Sequence, residues 1–175
     1  MIHWRTLVSQ AKYRLLLSDA YALAANLHRE QTDKSGNPYI QHVVSVAVAV
    51  RKYGLEYEIV GLLHDAIEDT DYTPEQAQCD FGKEISEAVM AMTRLEGEDY
   101  FKTYLPRLMD NKIAIRVKYA DSTHNLSKNP QLAAVNPEKA KKLRLKYQRV
   151  LALLKERILI YEAQEHAESQ SKGTL

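Results

Sequence analysis

Apolar residues recur along most of the chain three or four positions apart, with polar residues between them. This periodicity predicts helices. The valine-rich run from Val43 to Val50 favours a strand by β-propensity alone. Its length, the helix-starting residue Pro38 and the helical periodicity around it favour a helix instead. The pattern therefore predicts an all-α fold.

Local signals place the ends of several predicted helices. Thr73 and Gln76 form a capping-box pattern before a short helix, and Pro106 should interrupt a later helical stretch. Asn136 caps the last helix, which we expect to end near His166. The predicted helices cover residues 8–30, 38–53, 56–69, 74–81, 85–97 and 99–109, a segment starting after residue 110 or 111, and 137–166.

Length and composition bound the class of protein. The 175 residues suit one domain with a sizeable core, which we expect to cover residues 1–168, followed by a disordered tail at 169–175. The 24 Lys and Arg residues nearly balance the 23 Asp and Glu residues, so the net charge gives no indication of a nucleic-acid partner.

Targeting and redox signals are also lacking. The single cysteine, Cys79, excludes an internal disulfide. Apolar runs are too short for a signal peptide or a membrane span. We therefore expect a soluble, cytoplasmic protein without a membrane partner, and the sequence leaves a homo-oligomer open.

The stretch from residue 61 to residue 70 places four ionisable side chains in an apolar helical pattern. In one continuous helix, Glu68 would lie a turn beyond His64 and Asp69 a turn beyond Asp65, so all four would share an edge. Gly61, a turn earlier, would leave space there for a ligand. An imidazole beside a carboxylate near a core is costly unless partnered. A divalent cation would satisfy both groups, and a solvated helix edge is the alternative.

The surrounding motifs carry a family resemblance. With a histidine upstream in the PYIQH motif at 38–42 and an aspartate downstream in VKYADSTHN at 117–125, the His64-Asp65 pair resembles the HD-domain metal-dependent phosphohydrolases. The closest branch is that of the alarmone hydrolases, which comprises the hydrolase halves of RelA/SpoT enzymes and small stand-alone hydrolases. The resemblance runs from about Ala20 to Leu126. It implies a single helical bundle around a mononuclear metal site.

The resemblance also implies a ligand set and an activity. His42, His64, Asp65 and Asp121 would bind one divalent cation, for which the branch implies Mn²⁺ and the residue types leave Fe²⁺, Zn²⁺ and Co²⁺ open. Such an enzyme removes the 3′-pyrophosphate of guanosine tetraphosphate or pentaphosphate, giving GDP or GTP and pyrophosphate. Since no stretch is left for a synthetase domain, we expect degradation only.

Catalytic and substrate-binding roles come from the same resemblance. Glu68 and Asp69, the acidic pair that marks this activity in the branch, would orient the attacking water and shuttle its proton. Asn125 matches a residue that contacts the substrate near the ribose, and Lys118 matches the lysine of the same motif.

Three arginines of the branch are missing. Asp33 stands where the branch has an arginine that stacks on guanine, and an acid offers no guanidinium plane. Ser122 and Ser127 stand where two further arginines are usual. Cations that could replace them are Arg29, Lys34, Lys128 and the basic start of the last helix at 139–146. Lys34 is therefore a further substrate-binding candidate.

These departures leave three hypotheses. The first is a stand-alone alarmone pyrophosphohydrolase acting on a small phosphorylated nucleotide. The second is an HD phosphohydrolase of another nucleotide or phosphate ester. The third is a non-catalytic, nucleotide-binding regulatory domain, against which the complete ligand set and acidic pair argue.

Other polar and aromatic residues have structural interpretations. His28 lies near the predicted end of the first helix, where the helix dipole favours a cation. Tyr100 and Tyr104 are one turn apart, and we interpret them as half-buried packing residues, with a substrate wall as the alternative.

Overall fold

The computed structural model describes residues 4–34 and 36–172, whose regular secondary structure is helical apart from one bridge between Thr32 and Pro38. The all-α class is confirmed. Nowhere in these residues is a helix both long enough and apolar enough to cross a bilayer. The helices are α1 (Trp4–Leu27), α2 (Ile40–Val50), α3 (Leu55–Leu63), α4 (Ala66–Asp69), α5 (Pro74–Phe81), α6 (Lys83–Met92), α7 (Leu105–Met109), α8 (Lys112–Ser127), α9 (Asn129–Val135) and α10 (Pro137–Lys172).

The short helix α3 is the centre of the bundle. It packs against α1, α2, α6 and α8, and residues 58–63 are all buried. Glu58 is the one charged residue in this buried run. It accepts hydrogen bonds from Tyr21 and from Arg51, the latter at 2.9 Å, so its buried charge is partnered.

Gly61 lets α2 and α3 approach closely. A Cβ atom at this position would lie 2.7 Å from Cα of Ala47 and 3.2 Å from a methyl carbon of Val50, both on α2. The prediction that Gly61 leaves space for a ligand is therefore wrong. The space is filled by the backbone of the neighbouring helix.

The predicted continuous helix over 56–69 is also wrong, because the chain breaks at His64 and Asp65. The ring of His64 donates from Nδ1 to the Gly61 carbonyl at 2.8 Å. In a continuing helix that carbonyl would accept from the backbone N–H of Asp65. Asp65 instead takes φ −106° and ψ 0°, in the sparsely populated bridge region where many active-site residues lie.

The capping predictions are confirmed. Thr73 accepts from the backbone N–H of Gln76, whose side chain accepts from the backbone N–H of Thr73, which closes the capping box. The Asn111 side chain caps α8 by accepting two backbone hydrogen bonds. Asn136 accepts from the backbone N–H of Lys139 at the start of α10.

Other helix ends differ from the prediction. The first helix begins at Trp4, α2 begins at Ile40 because Pro38 pairs with Thr32, and α9 was not predicted. The last helix continues to Lys172, so residues 169–172 of the predicted tail are helical, while residues 173–175 lie outside the described part. Alanine, glutamate and glutamine at residues 162–168 favour helix up to this segment, and no helix-breaking glycine follows before residue 173.

We expect Gly61→Ala to destabilise the fold although alanine has the higher helix propensity. Propensity alone would add about 1 kcal/mol of stability, whereas the new methyl group meets the backbone of Ala47 and should cost about 1–3 kcal/mol. Urea denaturation followed by circular dichroism measures the net change. A stability equal to or above that of the wild type would show that α2 and α3 can separate without cost.

Candidate metal centre

The four predicted metal ligands converge at one place in the structure. His42 comes from α2, His64 and Asp65 from the turn after α3, and Asp121 from α8. Nε2 of His42 lies 3.4 Å from Oδ1 of Asp121 and 3.7 Å from Oδ2 of Asp65. Nε2 of His64 lies 2.9 Å from the same Asp65 oxygen. The side chain of Asp65 is 19% exposed and the other three are almost fully buried.

His64 gives the clearest sign that an ion belongs here. Its Nδ1 is used by the Gly61 carbonyl, which leaves Nε2 with its lone pair. That buried nitrogen has no hydrogen-bond partner among the described residues, because the nearby Asp65 oxygen is not aligned for one. A separation near 3 Å is the spacing of two ligands around an ion with bonds of about 2.1 Å. The residues present therefore fit a divalent cation.

A second histidine holds His42 in place. Nδ1 of His42 lies 2.8 Å from Nδ1 of His124. Burial and the neighbouring His42 lower the pKa of His124, which favours the neutral ring as the acceptor. His42 then donates from Nδ1 and presents the lone pair of Nε2 to the centre, as metal-binding histidines require. His124 was not predicted as a site residue, because a histidine one turn before Lys128 on a polar stretch of helix gives no signal for such a role.

Asp65 and His64 stabilise each other's charged forms. Burial alone would raise the pKa of Asp65, but the imidazole of His64 and the hydrogen bond from Tyr39 outweigh it and lower this pKa to about 2. Burial also opposes the charge on His64, yet Asp65 and Asp121 raise the pKa of His64 to about 9. In the absence of an ion, a proton on His64 takes the place of the cation.

Two of the predicted substrate-binding residues contact Asp121. Nζ of Lys118 lies 2.9 Å from Oδ2 of Asp121, and the Asn125 amide donates to Oδ1. Burial would raise the pKa of Asp121, but Lys118 and the histidines hold it well below its usual range. Lys118 and Asn125 thus orient a candidate ligand rather than extend freely toward a substrate.

The predicted catalytic pair lies one turn beyond the ligands and is more exposed. Glu68 accepts from the backbone N–H of Arg94 at 2.8 Å, which ties α4 to the segment after α6. Burial and the nearby carboxylates of Asp65 and Glu68 raise the pKa of Asp69. A raised pKa makes the carboxylate of Asp69 a better proton acceptor than an ordinary aspartate.

His28 directly follows the last residue of α1, as predicted, but its side chain does not extend into solvent. It is buried, with Nδ1 2.7 Å from Oε1 of Gln31 and its ring against Tyr39. Its Nε2 has no hydrogen-bond partner within the described part of the chain. The residue instead supports the loop that carries Gln31, whose amide donates to the Asp69 carbonyl.

Cations surround the outer side of the centre. Nζ of Lys146, from α10, lies 3.7 Å from the centroid of the Tyr100 ring. Burial, together with the nearby charges of Lys118 and Arg94, lowers the pKa of Lys146 to about 8. Positive side chains that lie close enough to lower one another's pKa form a region of positive potential, which suits a polyphosphate. Arg94 was not predicted, and Lys146 appeared only within the basic start of the last helix.

The two tyrosines have different roles. Tyr104 is a buried packing residue that donates to the Met92 carbonyl, as predicted. Tyr100 is half-buried and carries Lys146 on its face. The alternative of a substrate wall therefore applies to Tyr100 alone.

A pocket of about 70 Å³ opens beside the centre. Lys34, the further substrate-binding candidate, is one of the residues that line this pocket. Asp33 is engaged in its own loop, where it accepts from the backbone and side-chain N–H groups of Asn37. The other lining residues are Tyr39, His42, His124, Asn125, Lys128, Asn129, Leu132, Leu143 and Tyr147.

Comparisons with known proteins agree with this geometry. A family model described as an HD domain matches residues 20–114. A probable guanosine-3′,5′-bis(diphosphate) 3′-pyrophosphohydrolase from Synechocystis is 33% identical over 159 residues, which cover 83% of this chain and 20% of that protein. The bifunctional (p)ppGpp synthase/hydrolase SpoT of Escherichia coli is 34% identical over 140 residues, which cover 73% of this chain and 19% of SpoT. The chain thus spans about a fifth of the length of these relatives.

A solved structure has the same fold. It is described as a metazoan ortholog of SpoT that hydrolyses ppGpp and plays a role in starvation responses. Its TM-score is 0.58 with 21% sequence identity, and the match covers 83% of this chain and 95% of that one. An all-α HD-domain bundle is thereby supported by structure as well as by sequence.

We expect Tyr39→Phe to weaken binding of Mn²⁺ about ten-fold. The phenol donates to Oδ2 of Asp65 at 2.6 Å, and loss of a group that orients a metal ligand typically costs ten- to a hundred-fold in affinity. Isothermal titration calorimetry measures the constant. Tyr72→Phe is the matched control, because it also removes one tyrosine–carboxylate hydrogen bond, to Asp80. Equal Mn²⁺ affinity in the two variants would exclude this role for Tyr39.

Proposed function

Since the chain belongs to the HD-domain family, we propose that it is a metal-dependent pyrophosphohydrolase that removes the 3′-pyrophosphate of guanosine tetraphosphate or pentaphosphate. The observation that carries this proposal is the cluster of His42, His64 and Asp65, whose possible ligand atoms all lie within 4.8 Å of one another, with a carboxylate oxygen of Asp121 3.4 Å from His42. The similarity of the chain to proteins named as hydrolases of this substrate supports the choice of reaction.

The proposed ligands are His42, His64, Asp65 and Asp121, and the proposed ion is Mn²⁺. Mixed nitrogen and oxygen donors suit a first-row divalent ion and leave positions open for water and substrate. When bound, such an ion supplies Lewis-acid activation of water and of a phosphoryl oxygen.

The chain's own residues then handle the proton and the leaving group. The oxygen of water forms a bond to the phosphorus attached to the ribose 3′ oxygen, and the bond between that phosphorus and the 3′ oxygen breaks. Asp69 takes the proton of the water, because its raised pKa makes it a better acceptor than an ordinary aspartate. Glu68, held by the backbone N–H of Arg94, positions Asp69 and the water. Asp69 then passes this proton to the 3′ oxygen, which remains on GDP or GTP as a hydroxyl group, and the two phosphates leave as pyrophosphate.

Positive side chains outside the centre bind the phosphates. Lys146, Arg94 and Lys34 influence one another electrostatically and lie outside the carboxylates of the centre. We propose that these three side chains supply the positive charge that arginines supply in the alarmone-hydrolase branch. This arrangement separates the acids, which handle water, from the cations, which hold the polyphosphate.

One observation favours a second candidate, an HD phosphohydrolase of another nucleotide or phosphate ester. Asp33 occupies the position of the guanine-stacking arginine and is used to close its own loop. The pocket therefore offers Tyr147 and Leu143, rather than a guanidinium, as surfaces for a base. Such surfaces do not select guanine by charge.

We expect the purified protein to release pyrophosphate from guanosine tetraphosphate with Mn²⁺ present, and Asp65→Asn to lose at least about a hundred-fold of that activity. Asparagine keeps the size of the side chain but cannot match the carboxylate as a ligand. The assay includes NADPH and ordinary nucleoside phosphates. Turnover confined to one of these would establish the second candidate, and no turnover with tight Mn²⁺ binding would indicate a non-catalytic domain.

We further expect Lys146→Met to raise KM for guanosine tetraphosphate about ten-fold with little change in kcat. A charge-assisted hydrogen bond to phosphate is worth about 1.5–3 kcal/mol, and this lysine lies outside the reacting centre. Lys142→Met is the matched control, because Lys142 is exposed on the same helix. This variant removes one positive charge from the protein without removing a side chain from the site. A KM shift of the same size in both variants would mean that Lys146 has no specific place in the site.

A further inference from the structure

A second cavity, of about 380 Å³, lies between α2, the helical turn Arg51–Tyr53, α8 and α10. Much of its wall is apolar and includes Ala49, Val50, Ala120 and Ile158. A cavity of this size accommodates a small organic molecule. It contains none of the four candidate metal ligands, and the proposed reaction does not use it.

Arg116 of α8 lines this cavity although its side chain is only 6% exposed. Its Nε and Nη1 atoms are buried and have no hydrogen-bond partner in residues 4–34 and 36–172. Its Nη2 lies 3.5 Å from Glu162 and 4.0 Å from Glu165, and both carboxylates are nearly half exposed. These long, solvated ion pairs stabilise the guanidinium weakly. A buried guanidinium with two unsatisfied nitrogens is therefore costly unless something else binds it.

The outer wall of the cavity adds a flat aromatic surface and a second cation. The guanidinium carbon of Arg116 lies 5.0 Å from the centroid of the Tyr53 ring, and Nζ of Lys52 lies 5.0 Å from the same centroid. Tyr53 is 41% exposed, so its ring can move without disturbing the core. The cavity thus combines an apolar wall, an aromatic face and two positive charges.

We propose that this cavity binds a small organic anion, in which a carboxylate or phosphate group is joined to a flat apolar body. The anionic group pairs with Nε and Nη1 of Arg116, because the planar guanidinium fork matches both kinds of anion. These two nitrogens are buried, so the guanidinium turns away from Tyr53 and toward the cavity when the anion enters. The apolar body lies against Val50 and Ile158.

The cavity adjoins the candidate metal centre through one residue. His124 lines both this cavity and the pocket beside the centre, and its Nδ1 contacts Nδ1 of His42. Binding at Arg116 must therefore be distinguished from binding at the metal centre. The Asp65→Asn variant serves this purpose, since it changes the centre and leaves the cavity intact.

The first experiment uses 2-naphthoate as the probe and NMR titration of ¹⁵N-labelled protein as the measurement. We expect saturable shifts of the backbone amides of Ala49, Tyr53 and Thr123 in the wild type and equally in Asp65→Asn. The neutral 2-naphthamide has the same body without the charge and should bind at least about ten-fold more weakly. Inorganic phosphate, which has the charge without the body, should also bind more weakly.

Two variants test the proposed site, one by removing its charge and the other by filling its volume. Arg116→Met keeps an apolar side chain of similar length, and we expect it to weaken 2-naphthoate binding about ten- to a hundred-fold while leaving 2-naphthamide unchanged. Ala49→Leu fills the cavity from an exposed position of α2 and should weaken both probes. Removal of a poorly partnered buried charge seldom unfolds a protein, and the wild-type shifts and Ala49→Leu decide the question even if Arg116→Met does not fold.

Three results would overturn the proposal. The first is the absence of saturable shifts at the three amides at millimolar 2-naphthoate. The second is equal affinity for the charged and neutral probes, which would indicate an apolar groove without anion recognition. The third is loss of binding in Asp65→Asn, which would place the probe at the metal centre.

Discussion

The close approach of α2 and α3 at Gly61 is the constraint on which the rest of the site depends. Because this residue has no side chain, the backbone of α3 lies directly on Ala47 of α2. That contact brings His42, on α2, within reach of the turn that carries His64 and Asp65. The carbonyl of Gly61 also accepts from Nδ1 of His64 and so directs Nε2 toward the centre. One position thus fixes both the distance between the histidines and the orientation of one of them.

The same region shows how a buried group of charges can be stable. Two carboxylates, Asp65 and Asp121, lie close together where burial alone would favour their neutral forms. Lys118 and His64 supply positive charge, and Tyr39 and Asn125 donate hydrogen bonds. A divalent cation in the middle would allow His64 to be neutral without leaving the carboxylates unbalanced. Carboxylates therefore lie at the centre, and the positive side chains of Lys146, Lys34 and Arg94 surround its outer side.

Features encoded within a few residues could be predicted from the sequence, whereas contacts between distant segments were predicted only where the family resemblance supplied them, as for His42 and Asp121. The capping box at Thr73 and the caps at Asn111 and Asn136 depend on neighbours three positions away, and all were found. The role of Gly61 depends on the path of α2, and the positive rim depends on α10 folding back over the site. The helix break at Asp65 combines both kinds of cause, since a local ring–carbonyl hydrogen bond competes with a helix that periodicity alone would continue. The His–Asp pair was predicted to be part of a candidate metal site because an imidazole beside a carboxylate is costly near a core unless it is partnered.

The exchange of an arginine for Asp33 separates base recognition from the reaction itself. Asp33 accepts three hydrogen bonds from Asn37 and so stabilises the loop before α2, which positions Tyr39 next to Asp65. The substitution thus supports the geometry of the metal centre while removing a surface for guanine. In the proposed reaction, the groups that bind the ion and accept the proton lie on α2, α4, α8 and the turn after α3, whereas Leu143 and Tyr147, which line the pocket, lie on α10. Because these two sets lie on different elements, a change on α10 that alters base preference would leave the proposed ion ligands and proton acceptor in place.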